Sequence, residues 1–462
     1  MQVAATQASP SPASKQTRGA LRSVLQANGL TPPPLKSAWT VGTASLVMYL
    51  FLIHSYKVPI VQEVLAIGIA GVLLFARPLR MAPSLTWYAA FLAWALITLP
   101  ITPNVAVSWA AWVLAFKVWL IMFLVFNAVR TQGHLRLVML AYLGFFALYP
   151  VRGTLFNFAS GNESFGRYAW NFTFSNFNDL AALTIIPLGF AVDRLRSAEA
   201  KWVKLCALAG LLVLPFLVLI TQSRGGMLGM AVFFIVLLAR SRHRLRFIVA
   251  LAAVGGIAVL FAPKAVMDRI VGMQYLTSTT TLSQSDASAE QRYQIALIAA
   301  TVAKENPVLG VGIGAYPLAH ARYALRRADW IGARGSRDSH NSYLHVLAEN
   351  GVIGFGLFIM SFVTTLRELS RTARSVKNSQ LPADKELRDR CLAFQATLAG
   401  LAVCGIFGTL DTMVFPFLLM AIIAAAVRMP RSGTAAVPAA VPAKSIPRFR
   451  GGWRPQSRAI AR

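Results

Sequence analysis

Long uninterrupted apolar segments constrain this chain more than any other feature of its sequence. A helix needs about 20 apolar residues to cross a hydrocarbon core of about 30 Å. Twelve segments approach that length: 38–54, 59–76, 84–100, 112–129, 135–151, 177–193, 204–221, 225–240, 246–262, 343–365, 391–408 and 412–428. Charged residues make up only 13% of the chain, about half of what a surface in water requires. The sequence therefore predicts an all-α polytopic membrane protein with about twelve transmembrane helices.

Lysine and arginine residues lie mainly in alternate short loops, which predicts that both termini are in the cytoplasm. Residues 37–262 then form spans one to nine, and residues 341–428 form spans ten to twelve. Residues 263–340 form one large loop on the outer face. The basic segments 1–36 and 429–462 become cytoplasmic tails, the first of them disordered. The net charge of +28 is thus explained by membrane orientation, and nucleic acid is not an expected partner.

The outer loop 263–340 is too long for a passive connector, and its sequence predicts mainly helical structure. Residues 288–304 have the composition of a helix, and residues 318–330 favour a second one. Between them, the segment NPVLGVGIGAYP at 306–317 is rich in the glycine and proline that mark turns. We therefore expect the loop to contribute functional residues to the outer face.

Three arginines on the outer face are candidates for binding an anion. Arg224 lies in ITQSRGGMLG, Arg292 in the predicted loop helix, and Arg152 at the outer end of the fifth span. Guanidinium groups bind phosphate with two parallel hydrogen bonds, and the glycine pair after Arg224 permits close approach to the backbone. Each arginine has an alternative interpretation as a solvated or lipid-facing surface charge. Whether the three converge is left open by the sequence.

His340 is a candidate general base, at the point where the outer loop returns to the membrane in RDSHNSYLHVLAENGVIG. An imidazole titrates near neutral pH, with an ordinary pKa of about 6.5, and so suits proton transfer. Asp338 lies two residues before it and is a candidate supporting residue. The alternative is a structural histidine. His345, five residues further on, is expected to pack inside the helix bundle.

The sequence predicts no metal and no nucleotide cofactor. It has no outward-facing Asp-x-Asp pair, no His/Cys/carboxylate cluster with metal-ligand spacing, and no phosphate-binding loop of the nucleotide-hydrolase type. A phosphate leaving group would then be neutralised by arginine. Lys117 and Glu63 lie within predicted spans, and no role is assigned to them.

Four motifs resemble the bacterial O-antigen ligase family, within the wider O-antigen ligase/polymerase superfamily. They are TQSRGG at 221–226, EQRYQIALIAATVAKENPVLGVGIGAY at 290–316, SHNSYLHVLAENGVIG at 339–354 and FTFSNFNDLAAL at 172–183. They lie within residues 150–365, about half the chain. The motifs are more specific for the superfamily than for ligase over polymerase.

The resemblance implies a GT-C-like fold in the bacterial inner membrane, with the active site facing the periplasm. It implies transfer of O-antigen from undecaprenyl pyrophosphate to lipid A-core, in an inverting reaction that needs neither metal nor ATP. His340 would be the general base. Arg224, Arg292 and Arg152 would bind the donor pyrophosphate. Asn341, Asp338 and Asn178 would support them, and the oligomeric state is left unknown.

Three alternatives stay open at this point. An O-antigen or exopolysaccharide polymerase would use the same donor with a second lipid-linked glycan as acceptor. A protein O-oligosaccharyltransferase typically has an additional soluble region near its C-terminus, whereas this chain has the basic segment 429–462 there. A secondary transporter often has twelve spans with both ends inside, but here the longest loop is external and follows the ninth span.

Overall fold

The computed structural model is built from α-helices. The structure describes residues 32–56, 58–240, 287–327 and 330–429, together with Leu245 and Gly256, and contains no β-strand within them. The predicted all-α class is therefore confirmed for this part of the chain. Residues 1–31 and 430–462, and with them most of the two predicted tails, lie outside the described residues, as do residues 263–286 of the predicted outer loop.

The α-helices are numbered here in chain order. They are α1 (Val41–His54), α2 (Val61–Phe75), α3 (Pro83–Thr98), α4 (Val105–Ala128), α5 (Gln132–Phe146), α6 (Arg152–Ala159), α7 (Phe177–Leu183), α8 (Ile185–Arg196), α9 (Lys201–Ile220), α10 (Arg224–Arg240), α11 (Ala287–Glu305), α12 (Tyr316–Ala324), α13 (Ser342–Ser375), α14 (Pro382–Phe407) and α15 (Val414–Val427). A π-helical turn, Ala147–Val151, joins α5 to α6.

Six helical segments among the described residues are long and apolar enough to cross a membrane, which makes the chain a multi-pass membrane protein. They are Pro83–Ile101, Val105–Ala128, Gln132–Ala159, Lys201–Ile220, Ser342–Ser375 and Pro382–Phe407. The helices α1, α2 and α15 are apolar but shorter. The predicted ninth span, 246–262, lies outside the described residues except for Gly256. The count of twelve spans, the N-in/C-in topology and the GT-C likeness therefore stay predictions.

Several helices differ from the predicted spans at their ends. The predicted tenth span ended at residue 365, whereas α13 continues to Ser375. Its polar extension RELSRTARS contains good helix formers, Arg, Glu and Leu, so helix formation outlasts the apolar segment. Similarly, α14 begins at Pro382, nine residues before the predicted span at 391, with proline in its first turn, a position proline favours. Sequence hydropathy located these helices but not their polar ends.

The helices pack around α15, of which nearly every residue is buried. A helix that is apolar on all sides belongs inside a bundle, and α15 contacts α4 and α13. The rings of Tyr88, Phe358 and Phe417 meet in this core, with Tyr88 and Phe417 centroids 4.9 Å apart. A second apolar cluster joins α11 and α12 to α13 through residues such as Ile298, Tyr316 and Ala348.

The long helix α4 defines two ends of the bundle. It has 24 residues, so it extends about 36 Å, enough to cross a hydrocarbon core of about 30 Å. Just before its start, Thr102 Oγ1 donates a hydrogen bond to the Val311 carbonyl, at 2.9 Å. The end of the bundle at Thr102 is called the loop end. The end of α4 that contains Phe126 is called the opposite end.

Candidate active site

The segment NPVLGVGIGAY docks onto a break in α13. Gly351 interrupts the helix with a φ of 63°, which leaves backbone groups on either side without helical partners. Three backbone hydrogen bonds satisfy them: Val311 N to Ala348 O (3.0 Å), Gly312 N to Glu349 O (2.8 Å) and Val352 N to Pro307 O (2.8 Å). From a neighbouring helix, Trp94 Nε1 donates to the Asn350 carbonyl at 2.9 Å. The described part of the loop 263–340 is thus fixed to the helix bundle at this break.

Glycine is required where the two backbones meet. A Cβ atom on Gly351 would lie 2.0 Å from the Val308 carbonyl oxygen, and one on Gly310 would lie 2.3 Å from the Glu349 backbone. Both glycines also have positive φ values, 63° and 70°, which side-chain-bearing residues rarely adopt. The glycines of the two sequence motifs therefore serve the same interface.

Gly351→Ala is expected to lower the stability of the protein, by about 1–3 kcal/mol from backbone strain alone. The clash with Val308 adds to this cost. Gly356→Ala in the same helix is the matched control, because a Cβ there meets nothing within 4 Å. Thermal unfolding of the purified protein in detergent measures both. Equal melting temperatures for the two variants would contradict the proposed role of Gly351.

A buried polar network holds this junction from within. Asp411 Oδ2 lies 2.6 Å from His345 Nδ1, and Glu349 Oε1 lies 3.3 Å from His345 Nε2. The same Glu349 oxygen accepts a hydrogen bond from Tyr316 N, at 3.1 Å, at the start of α12. The three side chains are each about 5% exposed or less. His345 thus packs inside the bundle, as expected, and ties α12, α13 and the turn before α15 together.

His340 lies in a tight turn directly before α13. Its φ is 49°, in the left-handed region, and such conformations persist where neighbouring contacts hold them. Ser339 Oγ donates to the Asn341 carbonyl at 2.8 Å and accepts from Asn341 N at 3.2 Å. The Asn341 side chain caps α13 by accepting from Tyr343 N and Leu344 N, both at 3.0 Å. Asn341 therefore fixes the position of the adjacent His340.

Charged loop residues surround the His340 imidazole. Burial and the positive charge of Arg292 lower the pKa of His340, Arg337 acts in the same direction, and Asp338 opposes them. The imidazole is therefore neutral at neutral pH, which is the form that accepts a proton. Arg292 projects from α11, the helix predicted over 288–304, which is confirmed as Ala287–Glu305. The structure thus brings Arg292 and Asp338 close to His340.

Arg224 is the first residue of α10, and the turn before it is held on two sides. Ser223 Oγ accepts from Gly226 N at 3.2 Å, which caps the helix, and donates to Asn178 Oδ1 at 3.0 Å. The adjacent Gln222 has a φ of 52°. A Cβ on Gly226 would lie 2.4 Å from that of Ala181. The glycine pair after Arg224 is therefore explained by close packing of α10 on its neighbours.

Arg167 also contacts this turn, although no motif in the sequence pointed to it. Its Nε donates to the Thr221 carbonyl at 2.7 Å, and its Nη2 donates to Asn178 Oδ1 at 3.2 Å. Its guanidinium also lies over the Phe177 ring, 4.5 Å from the centroid. Asn178, which the resemblance placed among the supporting residues, therefore joins α7 to the turn that positions Arg224.

An electrostatic contact links the two halves of the candidate site. The carboxylate of Asp179, next to Asn178 on α7, is close enough to that of Asp338 for the two charges to interact. Asp338 also acts on His340, and Asn178 bonds to the turn before α10, so α7 lies near both turns.

An apolar cavity opens beside the His340 turn, between α13, α14 and the turn before α15. It has a volume of about 230 Å³ and is lined by Ser342, Tyr343, Phe362, Leu401 and Asp411, among others. Ser342 fixes its rim, because its Oγ donates to the Gly408 carbonyl and accepts from Leu410 N, both at 2.8 Å. Asp411 Oδ1 is buried without a hydrogen-bond partner. An elongated apolar group could enter here next to the polar turn.

Other candidates are not joined to these residues. Arg152 is exposed at the start of α6, and in the described chain no hydrogen bond or ion pair links it to His340, Arg224 or Arg292. Lys117 is half-buried in α4, Glu63 is exposed in α2, and the two make no ion pair with each other. Among the described residues, no group of three His, Cys, Asp or Glu side chains could hold a metal ion.

Comparison with known proteins identifies the central part of the chain. Residues 208–359 match the model of the O-antigen ligase family. The chain carries an O-antigen ligase family domain. This domain covers about a third of the sequence and includes Arg224, Arg292 and His340. No curated protein matches the chain. The domain supports membership of the O-antigen ligase/polymerase superfamily, as the sequence motifs predicted.

Proposed function

We propose that this protein is an O-antigen ligase, a glycosyltransferase that moves O-antigen polysaccharide from undecaprenyl pyrophosphate to lipid A-core at the periplasmic face of the bacterial inner membrane. The observation that carries the proposal is the ligase-family domain at 208–359, which contains Arg224, Arg292 and His340. The fixed turn at His340 and the charge of Arg292 beside it support the same chemistry.

In the proposed reaction, a hydroxyl of the core sugar attacks the anomeric carbon of the donor sugar. The new glycosidic C–O bond forms as the bond from that carbon to the pyrophosphate oxygen breaks, with inversion. The neutral imidazole of His340 takes the hydroxyl proton, and undecaprenyl pyrophosphate leaves with the bonding electron pair. His340 suits this step because its lowered pKa keeps it unprotonated at neutral pH.

Arginine supplies the charge compensation. Arg224, at the start of α10, combines a guanidinium with the positive end of a helix dipole, an arrangement suited to phosphate. Arg292 approaches from the loop side, next to His340. Fixed positive charge where the pyrophosphate develops its negative charge stabilises the transition state. Arg152 is assigned a peripheral contact with the donor because of its exposed position.

The remaining residues position these groups. Asn341 and Ser339 hold the His340 turn, and Asn178 holds the turn before Arg224. The negative charge of Asp338 partly offsets the lowering of the His340 pKa by Arg292 and Arg337. The apolar cavity beside Ser342 suits the polyprenyl chain of the donor, which would place its pyrophosphate at the polar turn.

Transfer assays with purified protein in liposomes test the function. Undecaprenyl-pyrophosphate-linked O-antigen is supplied with either lipid A-core or a second portion of the same donor. We expect O-antigen on lipid A-core, with no dependence on ATP and no loss after metal chelation. Formation of longer lipid-linked glycans, with no O-antigen attached to lipid A-core, would identify a polymerase instead. Gradient-driven uptake of a solute without transfer would identify a transporter.

A further inference from the structure

A cluster of three arginines surrounds Phe126 at the opposite end of the bundle. The guanidinium carbons of Arg80 and Arg428 lie 5.4 and 5.7 Å from the ring centroid. Arg130 joins them through Asn127, whose Oδ1 accepts from Arg80 N at 2.9 Å and from Arg130 Nη2 at 3.5 Å. We call Arg80, Arg130 and Arg428 the Phe126 arginine cluster.

The positive charge of this cluster is only partly balanced. Arg428 pairs with Glu368, whereas neither Arg80 nor Arg130 pairs with a carboxylate in the described part of the chain. The Arg130 guanidinium donates instead to backbone carbonyls, including that of Ala76. Arg80 Nε is buried and has no acceptor. Burial lowers the pKa of Arg80, and the positive charges of Arg130 and Arg428 lower it further.

A second arginine cluster nearby in the fold shows how the chain neutralises such charges by itself. It joins α5, α8 and α14 through paired side chains: Arg136 with Glu199, Arg194 with Asp193 and Glu199, and Arg390 with Asp193 and Glu386. Three arginines there meet three carboxylates. The Phe126 arginine cluster has one carboxylate for the same number of arginines, so an anion from outside the chain would complete it.

The surroundings of Arg80 favour a lipid as the source of this anion. The end of α2 and the short connection to α3 expose large apolar side chains: Phe75 is 74% exposed, Leu79 40% and Met81 48%. Apolar side chains and a guanidinium group at one level of a membrane protein match the acyl chains and phosphate of a phospholipid. We propose that the Phe126 arginine cluster binds the phosphate of an anionic phospholipid, on the membrane face opposite the His340 site.

Lipid retention by the purified full-length protein tests this proposal. The protein is reconstituted in vesicles of phosphatidylglycerol and phosphatidylcholine in equal amounts and extracted, and the bound lipid is counted by native mass spectrometry. Wild type should retain phosphatidylglycerol in preference to phosphatidylcholine. Arg80→Gln should reduce that preference about fivefold, the effect of one basic residue near an anionic lipid. Arg80→Lys keeps the charge and should retain part of the preference.

Arg240→Gln is the matched control, because Arg240 is exposed at the end of α10 and lies outside the cluster. It should leave the preference unchanged. Equal retention of phosphatidylglycerol by Arg80→Gln and wild type would overturn the proposal. An equal loss of the preference in Arg80→Gln and Arg240→Gln would also overturn it, because that result would indicate a general effect of surface charge. A third arm adds inorganic phosphate to lipid-free protein in detergent. If phosphate stabilised the wild-type protein but not Arg80→Gln, and wild type showed no preference for phosphatidylglycerol, the site would bind free phosphate and the lipid proposal would be rejected.

Discussion

Replacing His340 with alanine is expected to lower the rate of glycan transfer about 10²–10⁴-fold, the usual contribution of a general base. The variant should still fold, since the contacts that hold the turn come from Ser339 and Asn341. Alanine also carries the positive φ of this position poorly, so His340→Asn, which tolerates that conformation better, is made in parallel. Initial rates with saturating lipid A-core, and melting temperatures in detergent, are the measurements.

The pH profile separates a general base from a positioning residue. Because the pKa of His340 is lowered, transfer should rise with pH through a midpoint below about 6.5 and then level off. Arg292→Gln removes a positive charge that favours the neutral imidazole, so its acid limb should move to higher pH while its maximal rate falls. The two His340 variants should lose this acid limb altogether.

His134, in the first turn of α5, provides the control. The ring of His134 accepts a hydrogen bond from Arg130 N, and His134→Gln should keep both the rate and the acid limb of wild type. If His340→Ala transferred glycan within a few-fold of wild type, His340 would not be the base. An unchanged acid limb in that variant would assign the titration to another group.

The positions of the helices could be predicted from the sequence because an apolar run of sufficient length has few alternatives to a membrane helix. α9 (Lys201–Ile220) illustrates this, since the predicted span 204–221 differs from it by only a few residues. The predicted span 177–193 illustrates the limit, because the structure divides it at Thr184 into α7 and α8. Hydropathy averages over a whole segment and carries no information about local backbone geometry.

The site could be predicted only in part. Motifs identified Arg224, Arg292 and His340 as residues, but not the surroundings of each side chain, since each lies on a different element. The bond between His345 and Asp411 joins residues 66 apart in sequence, and Arg167 reaches Thr221 across 54 residues. Such pairs follow from how the helices pack. The glycines of NPVLGVGIG could be identified as turn formers, whereas the break at Gly351 inside the predicted span 343–365, and the docking of the two segments there, required the structure.

Replacing Arg224 with glutamine is expected to lower the transfer rate about 10²–10³-fold, as for loss of one fixed charge at a developing anion. Arg224 lies at the start of a 17-residue helix, where the helix dipole also favours a phosphate. Glutamine keeps the length and some hydrogen bonding but removes the charge. Lysine keeps the charge without the planar fork of the guanidinium, so Arg224→Lys should transfer at an intermediate rate.

The same assay distinguishes loss of chemistry from loss of the fold. Arg240→Gln, about 24 Å away at the other end of α10, removes an equal charge from an exposed position and should transfer at the wild-type rate. Arg224→Gln should melt at nearly the wild-type temperature, because Ser223 and Asn178 hold its turn. Wild-type transfer by Arg224→Gln would remove Arg224 from the site. The rate of Arg224→Gln could also fall only at low donor concentration. Arg224 would then bind the donor and the transition state equally, and its charge would not be directed at the departing pyrophosphate.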